Sequence, residues 1–167
     1  LPATIAVVTN IDPEHLDFHG DFDKLQEAFR AFVANIPFYG FATMCIDHPT
    51  VQKLIPRVSD RRIITYGFSP QADIRASNLE ITSSGTKFDV TVANRAHDSE
   101  RVLENIALPM YGQHNVSNAL AAISIALEMD MSDEQIRTSL AGFSGVKRRF
   151  TKTGEAGGIS VIDDYGH

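Results

Sequence analysis

Thr4-Ile5-Ala6-Val7-Val8-Thr9 is a short and nearly unbroken apolar run, the pattern of a strand buried on both faces rather than of one with a wet side. Burial on both faces requires covering layers above and below, so the run points to a parallel sheet with helical crossovers. The following residues supply a crossover. A polar loop, Asn10 to Asp21, leads into a predicted helix from about Phe22 to Asn35, where Leu25, Ala28, Phe29, Phe32 and Val33 recur at three- and four-residue spacing. Pro37 ends it. Gly40 to Ile46 reads as a second buried strand, and Asp47-His48-Pro49 turns the chain into a short helix near Val51 to Leu54. Arg62 to Tyr66 gives a third strand. This is the rhythm of a doubly wound sheet.

Beyond Tyr66 the texture changes. Ile74 to Ile81, Lys87 to Val92 and Val102 to Ala107 are shorter, partly alternating segments, and Ser83-Ser84-Gly85 offers a hairpin turn between the first two. They are expected to form a small antiparallel sheet attached to the parallel one. A helix is predicted from roughly Asn115 to Met129, with Leu120, Ile123, Ala126 and Leu127 on its apolar face. Ser132 and Gln135 form a capping-box pattern for a further helix to about Ala141. Arg149 to Lys152 and Ile159 to Ile162 read as two last strands.

A chain of 167 residues with 43% hydrophobic and 22% charged residues suits one globular domain. No apolar run approaches the roughly 20 residues of a membrane-spanning helix. The net charge of −6 argues against a nucleic-acid binder. The single cysteine, Cys45, cannot form an internal disulfide and offers no thiol cluster for zinc; a reducing cytoplasm suits it best. The opening Leu1-Pro2-Ala3 has neither an initiator Met nor a signal-peptide pattern and enters a strand almost at once, so the chain is expected to be part of a longer one.

Three stretches have the residue types for chemistry. Asn10-Ile11-Asp12-Pro13-Glu14-His15-Leu16-Asp17 follows the first strand, where open α/β sheets place ligands. Its carboxylates, imidazole and amide suit a metal or a metal–phosphate pair, and equally a solvated turn; imidazole is not the usual ligand of Mg²⁺. Gly112-Gln113-His114-Asn115-Val116-Ser117-Asn118-Ala119 begins a helix. Asn115 and Asn118 share one side of its first turns, and an Asn amide matches the N6/N7 edge of adenine. Helix capping is the alternative. The third is Lys147-Arg148-Arg149-Phe150 together with Asp163-Asp164-Tyr165-Gly166-His167. Arg suits a bidentate phosphate contact and an Asp at a strand end can accept from ribose hydroxyls, while solvated surface and turn chemistry explain the same residues. No Gly-x-x-x-x-Gly-Lys-Ser/Thr occurs in the chain, so it has no P-loop with which to cradle a triphosphate.

In order and spacing, these three stretches resemble the Mur ligases, and the likeness runs along nearly all of the chain. Pro37-Phe38-Tyr39-Gly40 and Ile64-Thr65-Tyr66-Gly67-Phe68 resemble the alanine-adding branch in particular. The branch that recycles muropeptides usually shows Phe-Ala where Tyr165-Gly166 stands here. The resemblance implies an α/β fold, a mostly parallel sheet flanked by helices with a small attached antiparallel sheet. It makes residues 1–167 a partial central, ATP-binding domain without its P-loop unit, lying between a UDP-sugar domain and a C-terminal domain. It further implies ATP and Mg²⁺ as cofactors, and UDP-N-acetylmuramate and L-alanine as substrates, joined through an acyl phosphate. His15 would hold Mg²⁺ near the reacting carboxylate; His114, Asn115 and Asn118 would lie at adenine. Arg149 would approach the phosphates and Asp164 the ribose, with Tyr165 and His167 near the nucleotide or the alanine. The piece alone is expected to be inactive, and an open strand edge left by the missing unit would favour self-association. The alternatives are a muropeptide or folylpolyglutamate-type amide ligase and a non-catalytic nucleotide-binding domain.

Overall fold

The apolar runs become strands and the amphipathic stretch between them a helix, in a computed structural model that describes residues 3–13, 21–58, 60–95, 97–143, 145 and 151–163. Strand β1 is Ile5–Val8, helix α1 Phe22–Ala34, β2 Phe41–Cys45 and α2 Pro49–Leu54, which runs into a 3₁₀ turn, Ile55–Val58. Then come β3 Ile63–Gly67, β4 Ile74–Thr82, β5 Gly85–Asn94 and β6 Ser99–Leu108, helices α3 Gln113–Glu128 and α4 Asp133–Ala141, and a hairpin of β7 Thr151–Ala156 and β8 Ile159–Asp163. The first six strands make one sheet in chain order, parallel from β1 to β4 and antiparallel from β4 to β6.

The antiparallel part is thus continuous with the parallel part. The join is short: only Tyr66↔Ile74 and Gly67↔Arg75 pair β3 with β4. Asp73 secures it, its buried carboxylate accepting from Thr65 N at 2.8 Å, from Thr65 Oγ1 at 2.7 Å and from the Arg95 guanidinium. The hairpin of β7 and β8 is a separate two-stranded sheet.

Alternation along β2 shows why the runs had to be nearly all apolar. Ala42 and Met44 enter a core with Ala6, Val8, Leu25, Val33, Val51 and Leu54 on the side of α1 and α2. Phe41 and Cys45 enter a second core with Ile64, Tyr66, Phe88, Leu120 and Ile123 on the side of α3. Each strand residue therefore meets a covering layer, the condition that period-2 geometry imposes on a two-faced sheet.

The Asp21 side chain caps α1 by accepting from Lys24 N at 2.8 Å. Its buried line is narrower than the predicted stripe: Leu25 and Val33 are buried, whereas Phe32 is 43% exposed. At 100° per residue Phe22, Leu25, Phe29 and Val33 centre on the sheet, and Ala28 and Phe32 fall on the flank. The capping box of α4 forms as its sequence indicates, with Ser132 and Gln135 each bonding the other's backbone.

Candidate functional site

Ligands of open α/β sheets gather beyond the carboxyl ends of the strands. That rim is built here by the ends of β1, β2 and β3 and by the start of α3. Helix α3 runs back along β2: Ser124 Oγ meets Thr43 Oγ1 at 2.6 Å in mid-strand, and Ser117 Oγ lies 3.8 Å from Cys45 Sγ at the strand end. The first turn of α3 is thereby set over the end of β2.

That turn begins at Gly112, whose φ of +92° favours glycine. A Cβ there would stand 2.8 Å from the His114 ring, so the missing side chain also makes room for that imidazole. No side chain caps the helix. The loop before it is braced from the β4–β5 turn, with Tyr111 Oη donating to Ser83 O and Thr86 Oγ1 to Met110 O, both at 2.9 Å. Asn115 Nδ2 donates to Tyr111 O at 2.7 Å. One of its two amide N–H groups is therefore engaged in holding the turn, which leaves the other and the carbonyl oxygen for a ligand. Asn118, one turn on, is exposed, as is His114. The two asparagines share a side of the helix and differ in what they have left to offer.

The loop after β1 is fastened at consecutive residues. Ile11 is buried in the α1-side core. Asp12 turns the other way, accepting from Asn10 Nδ2 at 2.5 Å and facing His48 Nε2 at 3.1 Å, while Thr9 Oγ1 donates to Asn10 Oδ1 at 2.7 Å. The Asn10 amide first, and then the His48 ring, hold the Asp12 carboxyl below its ordinary range, so it is an anion at neutral pH. Next to His48, the Asp47 carboxylate accepts from Phe68 N at 2.7 Å and Ser69 N at 3.0 Å. Gly67 permits this approach, since a Cβ at that position would collide with the carboxylate.

Two buried side-chain atoms among the described residues lack a hydrogen-bond partner, and both lie at this rim: His48 Nδ1 and the Tyr66 hydroxyl. Burial raises the Tyr66 phenol well above its ordinary value. Sequence reasoning passed over both residues, taking Asp47-His48-Pro49 as a turn and Tyr66 as strand core. The available signal was position, because His48 follows the second parallel strand as the Asn10 loop follows the first.

Of the residues singled out from the sequence, His114, Asn115 and Asn118 come together on α3. His15, Arg149, Asp164, Tyr165 and His167 lie outside the described residues. The described residues include no group of three or more His, Cys, Asp or Glu side chains that could hold a metal ion. Mg²⁺ does not require such a cage: it keeps several waters and takes one or two protein oxygens beside substrate phosphates, so a rim with an ionised carboxylate fits it. A cavity of about 540 Å³ lies elsewhere, lined by Arg62, Asp73, Arg95, Arg101 and Glu128 at the amino end of β3 and the last turn of α3. Its cations are matched within the protein: Arg62 with Glu128 at 2.5 Å, Arg95 with Asp73, and Arg101 with Asp133 at 2.6 Å. It therefore offers little to an anionic ligand.

Residues 1–126 match the family model of the Mur ligase middle domain. The chain belongs to the Mur ligase family. Across all of its 167 residues this Mur ligase chain is 65% identical to the UDP-N-acetylmuramate–L-alanine ligase of Rhodospirillum rubrum, of which it covers 35%, and 64% identical to that of Rhodospirillum centenum, of which it covers 34%. It thus spans about a third of the length of these curated relatives. Among solved structures it resembles MurF from Acinetobacter baumannii, with a TM-score of 0.79 at 24% identity over 98% of this chain and 34% of that one. It also resembles the MurF ligase from Thermotoga maritima in complex with ADP, with a TM-score of 0.74 at 20% identity over 97% of this chain and 35% of that one. At these identities the structural likeness speaks for the fold alone.

Proposed function

We propose that this chain is part of the central domain of a UDP-N-acetylmuramate–L-alanine ligase and forms the adenine side of its ATP site. The observation that carries the proposal is the 65% identity to such a ligase along the entire chain. The uncapped first turn of α3, set over the end of β2 with Asn118 and His114 exposed, supports the adenine assignment.

In the reaction the sugar carboxylate takes the γ-phosphate of ATP, and the alanine amine then displaces phosphate to form the amide. ATP supplies the activating phosphoryl group and Mg²⁺ neutralises its charge. The chain's own part is to bind and orient. Asn118 presents an amide to the adenine edge, while Asn115, steadied by Tyr111, presents its carbonyl oxygen. His15 would hold Mg²⁺, Arg149 would meet the phosphates and Asp164 the ribose; Tyr165 and His167 would lie near the nucleotide or the alanine. The 167 residues contain no P-loop motif, so the piece alone is expected to have no ligase activity. Its setting would be the bacterial cytoplasm; among the described residues no helix is long and apolar enough to cross a membrane.

The test is phosphate release by the full-length protein. The proposal expects release only when ATP, Mg²⁺, UDP-N-acetylmuramate and L-alanine are all present. Release that is indifferent to alanine, or that requires a peptide or glutamate in its place, would contradict it.

A further inference from the structure

The parallel register sets Tyr66 of β3 opposite Cys45 of β2, and both side chains enter the core beneath α3. Cys45 Sγ in turn lies 3.8 Å from Ser117 Oγ. Phenol, thiol and hydroxyl thus follow one another from β3 through β2 to the opening turns of α3. Burial falls in the same order: Tyr66 is wholly enclosed, Cys45 is 7% exposed and Ser117 is half-buried, with Asn118 next to it in the open.

A phenylalanine would fill the space of the Tyr66 ring equally well. The hydroxyl finds no hydrogen-bond partner there, and an unsatisfied buried group lowers stability. Burial first, and then the neighbouring Cys45 and Asp47, raise the phenol, so it is neutral at neutral pH. The thiol stands close enough to act on the phenol, yet not in the geometry of a bond to it. A polar group that costs stability and lies beneath a binding element has the pattern of a functional constraint rather than a packing one. In a close-packed interior its neighbours feel the removal of even one atom. Here the first neighbour is Cys45, and the next is Ser117, the residue before Asn118.

We propose that Tyr66 is a positioning residue for adenine binding: through Cys45 and Ser117, its hydroxyl sets how the opening turns of α3 hold Asn118. This rests on the functional reading above. Tyr66 itself is enclosed, so it acts on the nucleotide only through those neighbours.

The experiment measures ADP binding to the full-length protein by isothermal titration calorimetry, with thermal midpoints recorded without nucleotide. Tyr66→Phe is expected to weaken ADP binding about fivefold, while the midpoint stays unchanged or rises. Asn118→Ala should weaken binding too, and Tyr66→Phe should add little in an Asn118→Ala background, because both act through the same contact. Unchanged ADP affinity in Tyr66→Phe would overturn the proposal. So would weaker binding that accompanies a lower midpoint, since the role would then be structural only, and so would a double variant whose losses simply add. If the wild-type protein does not bind ADP, or Asn118→Ala leaves its affinity unchanged, the adenine assignment fails and the proposal with it. A loss in Asn118→Ala with none in Tyr66→Phe removes the role of Tyr66 alone.

Discussion

Tyr66 shows how a single residue carries a signal in its energetics that its burial conceals. The side chain is wholly enclosed, as a strand residue of the core should be, but its hydroxyl has no partner. An orphaned buried hydroxyl costs about 1–3 kcal/mol. Tyr66→Phe is therefore expected to leave the denaturant midpoint unchanged or to raise it. A loss above about 1 kcal/mol in chemical unfolding would mean that the hydroxyl is bonded in solution. The sequence shows an aromatic in an apolar run and nothing of this, because whether a buried hydroxyl finds a partner is decided by the tertiary packing around it. Asn115 is similar. Its type and place suggest adenine recognition or a cap; what no local pattern shows is that its amide nitrogen also donates to Tyr111 O, in a loop that Tyr111 braces through Ser83 O.

At the scale of elements, the strands and helices of the parallel half were legible because two-sided burial leaves a strong mark on sequence. The antiparallel half was legible only as segments. Its bulges were not, since they depend on a pairing across strands. One bulge opens in the register between Ser77 and Glu80, another opposite Phe88–Val90, and Asn78 and Asn105 there have φ of 52° and 57°. Asp89 on β5 ties both, accepting from Asn78 Nδ2 and from Asn105 N at 2.8 Å each. The Asn78 amide first and the Asn105 N–H second hold its carboxyl below the ordinary value of 3.8. A carboxyl whose folded value is depressed stabilises the fold above its unfolded value and loses that contribution as pH falls through the folded one. Asp89→Ala is expected to cost about 1–3 kcal/mol at pH 7. In urea unfolding, the gap between variant and wild type should narrow as pH is lowered below 3.8. A gap that is constant from pH 7 to pH 2.5 would contradict this assignment.

For the whole molecule, the described sheet is open at β1, which pairs only with β2 and leaves Val7 41% exposed. We propose self-association of the isolated piece through this edge, an expected hazard of unpaired strands. Sedimentation of the piece should show species larger than a monomer, and a purely monomeric boundary would count against it. The order of motifs made the family legible, because the loop after β1 and the start of α3 lie far apart in sequence yet belong to one rim. The physical link, α3 laid back along β2 through Ser124 and Thr43, is a tertiary fact that no local pattern encodes. The most direct measurement is the KM for ATP of the full-length ligase carrying Asn118→Ala. It is expected to rise about tenfold, the weight of one or two lost hydrogen bonds, with the KM values for L-alanine and UDP-N-acetylmuramate little changed. An unchanged KM for ATP, or an equal rise for all three substrates, would contradict the placement of adenine at α3.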